Sequence, residues 1–480
     1  MKSLIPSIKW TLFTAIFRRG FSILIFLYIL KYVTPEIIGT FREFSTILFI
    51  PPMIALFSLE YLFIIEKTDD KKIFIALNQL GFISSFVFMI GLYFLAKPIA
   101  NFYHNPELIK IIKYGSIFVL LEIFRKIFKY GLQNRLKFIA IANYETVNVI
   151  IYSLIIFAFI KKFPSAFFLT FAFYFGNLIE MILLFRNEFT KQSQPFIEAL
   201  KFKNLGLTKK IILQDKKFLT FTTFSNISAY ISGTIPIFIF GRYFSSNYVG
   251  IYYMANQLIS IPVNIVTNSL QQIFFPSFSK LSKKLIREKI SRYGNFVVST
   301  LWVLLAFYIF WATKLVPLIV NPQWEKAILA MLIISFSIAS TILISPISSI
   351  PIIFKRTDLE FYWNLISCGL NTIAIVYGTK FGFYYALTFF TISVVFSHFL
   401  FLLIILHLIE IDILSFLRNI FLKFMIGIFY YISLFFVYQL TLYKSLFGSL
   451  IIIVLYFLGL NLFSKGKFFQ EIKDIIYLKR

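Results

Sequence analysis

Apolar runs of about twenty residues follow one another along the whole of this chain, each long enough to cross roughly 30 Å of hydrocarbon as an α-helix. That feature excludes most folds. In lipid every backbone N–H and C=O must be satisfied within a helix or a closed barrel, and runs this long and this uniformly apolar select the helix. Between polar breaks they place helices at about 9–33, 36–66, 73–97, 109–134, 139–160, 165–186, 218–241, 247–275, 293–313, 325–353, 358–378, 382–408, 420–440 and 445–463, fourteen in all. The fold class is therefore all-α, a polytopic membrane protein without a soluble domain. The composition agrees: 59% of residues are hydrophobic and 14% charged, against roughly 45–50% and about 25% in soluble domains. The first run exceeds twenty residues, holds Arg18 and Arg19 and is followed by no small-residue cleavage site, so it is read as a retained helix and not a signal peptide.

A formal charge of +26 would suggest nucleic acid in a soluble protein. Here the membrane supplies the simpler cause, because cytoplasmic loops retain Lys and Arg. With the N-terminus inside, the segments "EKTDDKK", "SKLSKKLIREKISR", the long loop 187–217 and the tail "SKGKFFQEIKDIIYLKR" all fall on the cytoplasmic side. That orientation puts about 31 basic residues inside and about 11 outside. Both termini are expected in the cytoplasm, nucleic acid is not expected as a partner, and the cell (inner) membrane of a bacterium or archaeon is the expected location.

Several chemistries find no residues to carry them. Cys368 is the only cysteine, and His104, His398 and His407 have no ligand spacing, so neither a disulfide framework nor a metal site is expected. The Gly466-Lys467 pair has no Ser or Thr after it and no phosphate loop before it, which excludes ATP hydrolysis by a Walker-type site. No cofactor is expected.

The chain also repeats itself. "YVTPEIIGTFREFSTILFIP" from Tyr32 aligns without a gap on "YFSSNYVGIYYMANQLISIP" from Tyr243, matching Gly39 to Gly250 and Pro51 to Pro262 at an offset of 211. A second pair, "YHNPELIKIIKYGSIFVLL" and "IVNPQWEKAILAMLIISFS", matches Asn105-Pro106 to Asn321-Pro322 at an offset of 216. Six helices separate the copies, and an even number returns the chain to the same face, so parallel lobes related by an axis along the membrane normal are expected. The domains are then a six-helix lobe at 1–190, a cytoplasmic connector at 191–217, a second lobe at 218–411, and two further helices with a basic tail at 412–480. Gly39 and Gly250 are expected at equivalent close-packed turns. Pro51, Pro52, Pro236, Pro262, Pro346 and Pro351 interrupt helices and mark bending points.

The run "GIYYMANQLISIP", followed by "IFFPSFSKL" and a basic loop, resembles polysaccharide flippases of the Wzx type, in the multidrug/oligosaccharidyl-lipid/polysaccharide exporter superfamily. The opening, an Arg-bearing helix and then "ILKYVTPEIIGTF", resembles the same family. The resemblance implies a transporter and not an enzyme, one that moves an undecaprenyl-pyrophosphate-linked oligosaccharide from the inner to the outer leaflet by alternating access. It also implies polysaccharide polymerases as partners. The lipid II branch has an arginine where "YYMANQ" has Gln257, and a second-helix arginine that is absent from "PPMIALFSLEYLFII". These departures favour an O-antigen, capsule or exopolysaccharide unit over a peptidoglycan precursor.

Ionisable groups inside a bilayer are costly and mark substrate or ion paths. Arg18 and Arg19 lie about 13 Å along the first helix at 1.5 Å per residue, and the repeat places Ala229 and Tyr230 opposite them, so the cation is not duplicated. Guanidinium donates paired hydrogen bonds to phosphate, which makes this pair the candidate pyrophosphate site; the alternative is an ion pair with a buried acid such as Glu60. On the fourth helix Glu122, Arg125, Lys126 and Lys129 share one face. Arg125, Lys126 and Lys129 form either an approach funnel for the anionic headgroup or, with Glu122 neutralising Lys126, a solvated stripe. Arg42 and Glu43 lie a turn or two inside the outer face, as a gate or an interfacial anchor. Energy is expected from a proton or Na⁺ exchanged at a buried carboxylate, first Glu60 and then Glu145 and Glu180.

Two active functions compete with this reading, and a scaffold without transport activity is a third alternative. A multidrug or cation antiporter of the same superfamily would share the lobes, but buried arginines repel cationic cargo. A membrane-embedded polysaccharide polymerase or ligase would carry its catalytic groups on a sizeable outer loop, and the longest outer loop here is about 98–108.

Overall fold

The computed structural model describes residues 4–65, 70–199, 205–279, 281–354, 356–418, 421, 433 and 442–463. Among them there is no strand. Eleven helical stretches in this set are long and apolar enough to cross a membrane, and the chain is an integral membrane protein. The count differs from fourteen for identifiable reasons. The expected helix at 420–440 lies outside the described residues but for two, and the last helix, Leu442–Phe463, is not among the eleven. The fourth expected helix carries six charged residues and is divided near Ser116.

The backbone packs into two compact units, Met1–Met254 with Val320–Trp324, and Ala255–Ile319 with Glu325–Arg480. The first contains α1 (Leu4–Tyr32), α2 (Pro35–Leu48), α3 (Ile50–Ala55), α4 (Leu59–Ile65), α5 (Asp70–Phe102), α6 (Glu107–Gly115), α7 (Phe118–Asn134), α8 (Phe138–Phe159), α9 (Ala166–Ala199), α10 (Leu205–Gln214), α11 (Lys216–Tyr243) and the opening turns of α12 (Ser246–Phe278). The second holds the rest of α12, α13 (Lys283–Phe296), a π-helical turn at Val297–Leu301, α14 (Trp302–Ile319), α15 (Lys326–Ile344), α16 (Ile350–Ile353), α17 (Thr357–Thr379), α18 (Phe383–Leu408) and a last helix, Leu442–Phe463.

Prolines explain where the long runs break. The run expected as one helix at 36–66 is three, because Pro51 and Pro52 open α3 and cannot donate to the turn before. Past α3 the backbone enters the left-handed region at two successive non-glycine residues, Phe57 (φ 47°) and Ser58 (φ 56°). Such residues cost about 1–3 kcal/mol each and need outside support. Ser58 has it in the 2.9 Å hydrogen bond between its hydroxyl and that of Thr223 on α11. The aligned Pro262 has no such effect, since α12 runs straight through it. Pro346 stands in a 3-10 turn that ends α15, and Pro351 opens α16.

The segment read as a polar loop at 187–217 is mostly helical. α9 continues to Ala199, and α10 is tied to α5 by Thr208 Oγ1 donating to Gln79 Oε1 at 2.6 Å. In the second unit, α17 and α18 pack closely enough that a Cβ on Gly378 would meet Ala386 Cα at 2.5 Å, and Trp363 stacks on Phe401 at 4.1 Å. At the end of α18, Glu410 receives Lys283 Nζ at 2.7 Å and Arg287 Nη2 at 3.0 Å. The Lys283 hydrogen bond holds this exposed carboxyl below the usual carboxylate range.

Candidate functional site

Two clusters of polar residues and one helix crossing, all within the first unit, concentrate the chemistry. The crossing joins the openings of α2 and α12. Thr34 caps α2, its Oγ1 accepting from Ile37 N at 3.4 Å, and Pro35 follows at the first helical position. From there Pro35, Gly39 and Arg42 recur at helical spacing on one face, as do Ser246, Gly250 and Tyr253 on α12. The two rows meet reciprocally. A Cβ on Gly39 would lie 1.7 Å from Ser246 O, and one on Gly250 would lie 1.8 Å from Pro35 O. Only glycine permits carbonyl and backbone to touch in this way. One turn on, the Arg42 guanidinium sits 4.1 Å from the centroid of the Tyr253 ring. Arg42 and Tyr253 are counterparts at the offset of 211, as are Gly39 and Gly250, and the contact of Gly39 with Ser246 is the repeat image of that of Gly250 with Pro35.

The Asn-Pro turns are alike in detail. Asn105 Oδ1 accepts from Glu107 N and Asn321 Oδ1 from Gln323 N, both at 3.1 Å. Each turn braces the other copy: Trp324 Nε1 donates to Val33 O at 3.1 Å, while Tyr103 covers Gly241 and Arg242 Nη1 donates to Phe102 O at 3.1 Å. Beside the crossing, the fully buried Glu43 receives Ser246 Oγ at 2.9 Å and Asn105 Nδ2 at 3.3 Å. Its other oxygen, Oε1, has no hydrogen-bond partner.

The first charged cluster joins α1, α7 and α8. Arg18 Nη1 and Lys129 Nζ donate to different oxygens of Glu145, and Arg18 Nη1 also reaches Ala142 O at 3.1 Å. Two cations share one carboxylate, a surplus of one positive charge. The three side chains are 16%, 30% and 25% exposed, enough to be reached by a ligand. Arg19, next in sequence, is partly exposed and makes no hydrogen bond or ion pair with the described residues. Arg18 thus pairs with Glu145 and not with Glu60.

The second cluster lies deeper, on α7, α8 and α9. Arg125 Nη2 donates to Glu122 Oε2 at 2.7 Å and its Nη1 to Glu180 Oε2 at 3.0 Å. Asn177 donates to Glu122 Oε1 at 2.6 Å, and Asn148 to both Glu180 Oε2 (2.6 Å) and Asn177 Oδ1 (2.8 Å). Glu122 and Glu180 are 0% and 1% exposed, so the carboxylates of this cluster are closed to solvent where Glu145 is open, although Arg125 itself is 18% exposed. The expected Glu122–Lys126 pairing is replaced by Glu122–Arg125, and the charge of Lys126 acts on both Glu60 and Glu122. Glu60, 8% exposed, stands in the first turn of α4 with Oε2 unpartnered. Of the three expected funnel residues, then, only Lys129 joins Arg18. Asn148 and Asn177 were not singled out by sequence, although amides inside apolar runs are a signal in themselves. The Arg42–Tyr253 contact was also missed, and the repeat alignment already places those two residues opposite each other.

Known proteins share this fold. The chain superposes on the lipid II flippase MurJ in its inward closed conformation with a TM-score of 0.73 and 15% identity, covering 97% of this chain and 99% of that one. An inward-facing multidrug resistance MATE family transporter of the MOP superfamily superposes with a TM-score of 0.58 and 12% identity, covering 82% and 94%. In sequence, the chain is 23% identical to teichuronic acid biosynthesis protein TuaB of Bacillus subtilis (strain 168) over 331 residues, 65% of this chain and 64% of that protein, which is just under two thirds of TuaB's length. It is 20% identical to succinoglycan biosynthesis transport protein ExoT of Rhizobium meliloti (strain 1021) over 386 residues, 78% and 74% of the two chains. The family described as "Polysaccharide biosynthesis protein" matches residues 53–329, more than half of the sequence. By that match, the chain belongs to the polysaccharide biosynthesis protein family.

Proposed function

We propose that this protein carries an undecaprenyl-pyrophosphate-linked oligosaccharide from the cytoplasmic to the outer leaflet of the inner membrane, by alternating access of two lobes, for assembly of a surface polysaccharide such as an O-antigen, capsule or exopolysaccharide. The observation that carries this reading is the surplus charge at Arg18, Lys129 and Glu145, two partly exposed cations on one carboxylate, with Arg18 and Glu145 in helices long and apolar enough to cross a membrane. A site of net positive charge in low dielectric suits an anionic headgroup and repels a cationic drug. The names of TuaB and ExoT agree with a polymer-building role.

In this reading Arg18 and Arg19 hold the pyrophosphate, and Lys129, with Arg125 and Lys126 behind it, draws the headgroup in from the cytoplasm. Glu60 exchanges the coupling proton or Na⁺, because it makes no ion pair among the described residues and keeps an unpartnered oxygen, whereas Glu145 and Glu180 are already held by cations. The lobes are 1–190 and 218–411, both termini are cytoplasmic, the protein has no catalytic activity of its own, and a polysaccharide polymerase receives the product outside. Surface display of the polymer in a deletion strain complemented with this chain tests the proposal. Restoration of display by the wild type and its loss with an Arg18→Gln, Arg19→Gln variant of normal membrane abundance are expected. Full display from that double variant would overturn the assignment of the headgroup site.

A further inference from the structure

We propose that Arg42, supported by the Tyr253 ring, is a second phosphate-binding residue for the headgroup of a lipid-linked pyrophosphate, a proposal that rests on the transport reading above. The other two arginines of the polar clusters have carboxylates, Arg18 in Glu145 and Arg125 in Glu122 and Glu180. Arg42 has no carboxylate partner among the described residues. Its neighbour Glu43 is turned to Ser246 and Asn105. What surrounds Arg42 is aromatic: the Tyr253 ring at 4.1 Å, with Tyr174, Tyr230 and Tyr252 within electrostatic reach. The Arg42 Nε is buried without a hydrogen-bond partner, and so is the hydroxyl of Tyr174, a side chain of 0% exposure.

A guanidinium with its Nε buried and no counter-charge is unfavourable, and attraction to a ring face recovers only part of the lost hydration. An arriving anion removes the imbalance. A guanidinium lying face-on to a ring keeps its edge donors free, so stacking on Tyr253 orients the planar fork for two phosphate oxygens. The side chain is partly exposed, as a binding residue must be. Its place in the chain gives it a separate station. Arg18 lies about 21 Å before the end of α1 at Tyr32, whereas Arg42 lies about 10 Å after the start of α2 at Pro35, at 1.5 Å per residue. The headgroup can then pass from one guanidinium to the other along the membrane normal. The backbone contacts of the crossing are reciprocal but its side chains are not: Arg42 faces Tyr253, and Ser246 bonds Glu43 where the aligned residues are Pro35 and Met254.

The test is ligand-induced stabilisation of the full-length protein in detergent, with farnesyl pyrophosphate, farnesol and inorganic pyrophosphate as probes. Wild type should bind farnesyl pyrophosphate in preference to farnesol. Arg42→Gln should weaken that binding at least tenfold, and Arg42→Lys and Tyr253→Leu several-fold. The melting temperature of ligand-free Arg42→Gln should equal or exceed that of wild type, because a partly buried charge without a carboxylate partner is removed; a purely structural arginine would lower it and leave affinity unchanged. Competition by inorganic pyrophosphate in wild type but not in Arg42→Gln would assign recognition to the phosphates themselves. Absence of competition, with the farnesyl pyrophosphate loss intact, would assign it to the lipid-linked form. Unchanged affinity in Arg42→Gln overturns the proposal and leaves the transport reading standing, whereas equal binding of farnesol and farnesyl pyrophosphate by wild type overturns both. If Arg42→Gln does not accumulate, Arg42→Lys carries the test, and unchanged affinity there has the same meaning.

Discussion

Replacing Arg18 by Gln removes one of the two cations on Glu145 and leaves Lys129 in place. The carboxylate is not stranded, so the large penalty for breaking a buried pair does not apply. With side chains 16–30% exposed, the loss of stability should be about 1 kcal/mol or less. Transport should respond far more strongly. A hydrogen bond between charged partners contributes about 1.5–3 kcal/mol, which is roughly tenfold to a hundredfold in rate if it is made to the moving headgroup. Glu145→Gln is the opposite case, because it leaves Arg18 and Lys129 facing each other. Two unit charges about 5 Å apart at an effective dielectric of 20 repel by about 3 kcal/mol, reduced to about 1–2 kcal/mol by their exposure. Glu145→Gln should therefore destabilise the protein more than Arg18→Gln while impairing transport less. The assay is surface polymer in a deletion strain, read beside membrane abundance and the melting temperature of the purified variants. If Arg18→Gln with Glu145→Gln restored full export, Arg18 would be shown only to neutralise Glu145, and the reasoning from surplus charge would be refuted.

Three further outcomes are expected. Gly39→Ala and Gly250→Ala should both impair folding or transport to a similar degree, since each new Cβ would fall within 2 Å of a backbone carbonyl oxygen; tolerance at one and collapse at the other, in purification yield or export, would break the equivalence. Ser58→Gly and Ser58→Ala both lose the bond to Thr223, so a melting comparison isolates the left-handed backbone, and Gly should be the more stable by about 1 kcal/mol. With Cys368 first replaced, a cysteine at Ser245 should react with an impermeant maleimide from outside and one at Ser282 only after permeabilisation; the reverse would invert the orientation.

Sequence disclosed the spans well because a membrane helix is specified by length and apolarity alone. It failed where backbone detail or distant pairing decided the matter. Pro51 and Pro262 align, yet only the doublet Pro51-Pro52 breaks its helix, and the two left-handed residues beyond it carry no glycine to announce them. The connector at 187–217 read as loop because hydropathy detects lipid and not helicity. Arg18 and Glu145 each stood out as ionisable groups in apolar helices, but 127 positions separate them, and only the packing of α1 on α8 makes them partners. Glu122 had both Arg125 and Lys126 at helical spacing, and it was Glu180, from another helix, that decided between them.

The Arg42–Tyr253 contact also bears on ancestry. Had two separate, identical chains once associated through this face, two-fold symmetry would have set residue 42 of each against residue 42 of the other. Glycine against glycine tolerates that arrangement, and so does tyrosine against tyrosine. Arginine against arginine, in a medium that screens charge poorly, does not. A cation could settle on the axis only after fusion of the two genes released each half from mirroring its partner's mutations. If the two halves descend from one duplicated gene, the stacked pair dates from after their fusion, when the inherited seam of a homodimer became free to diverge.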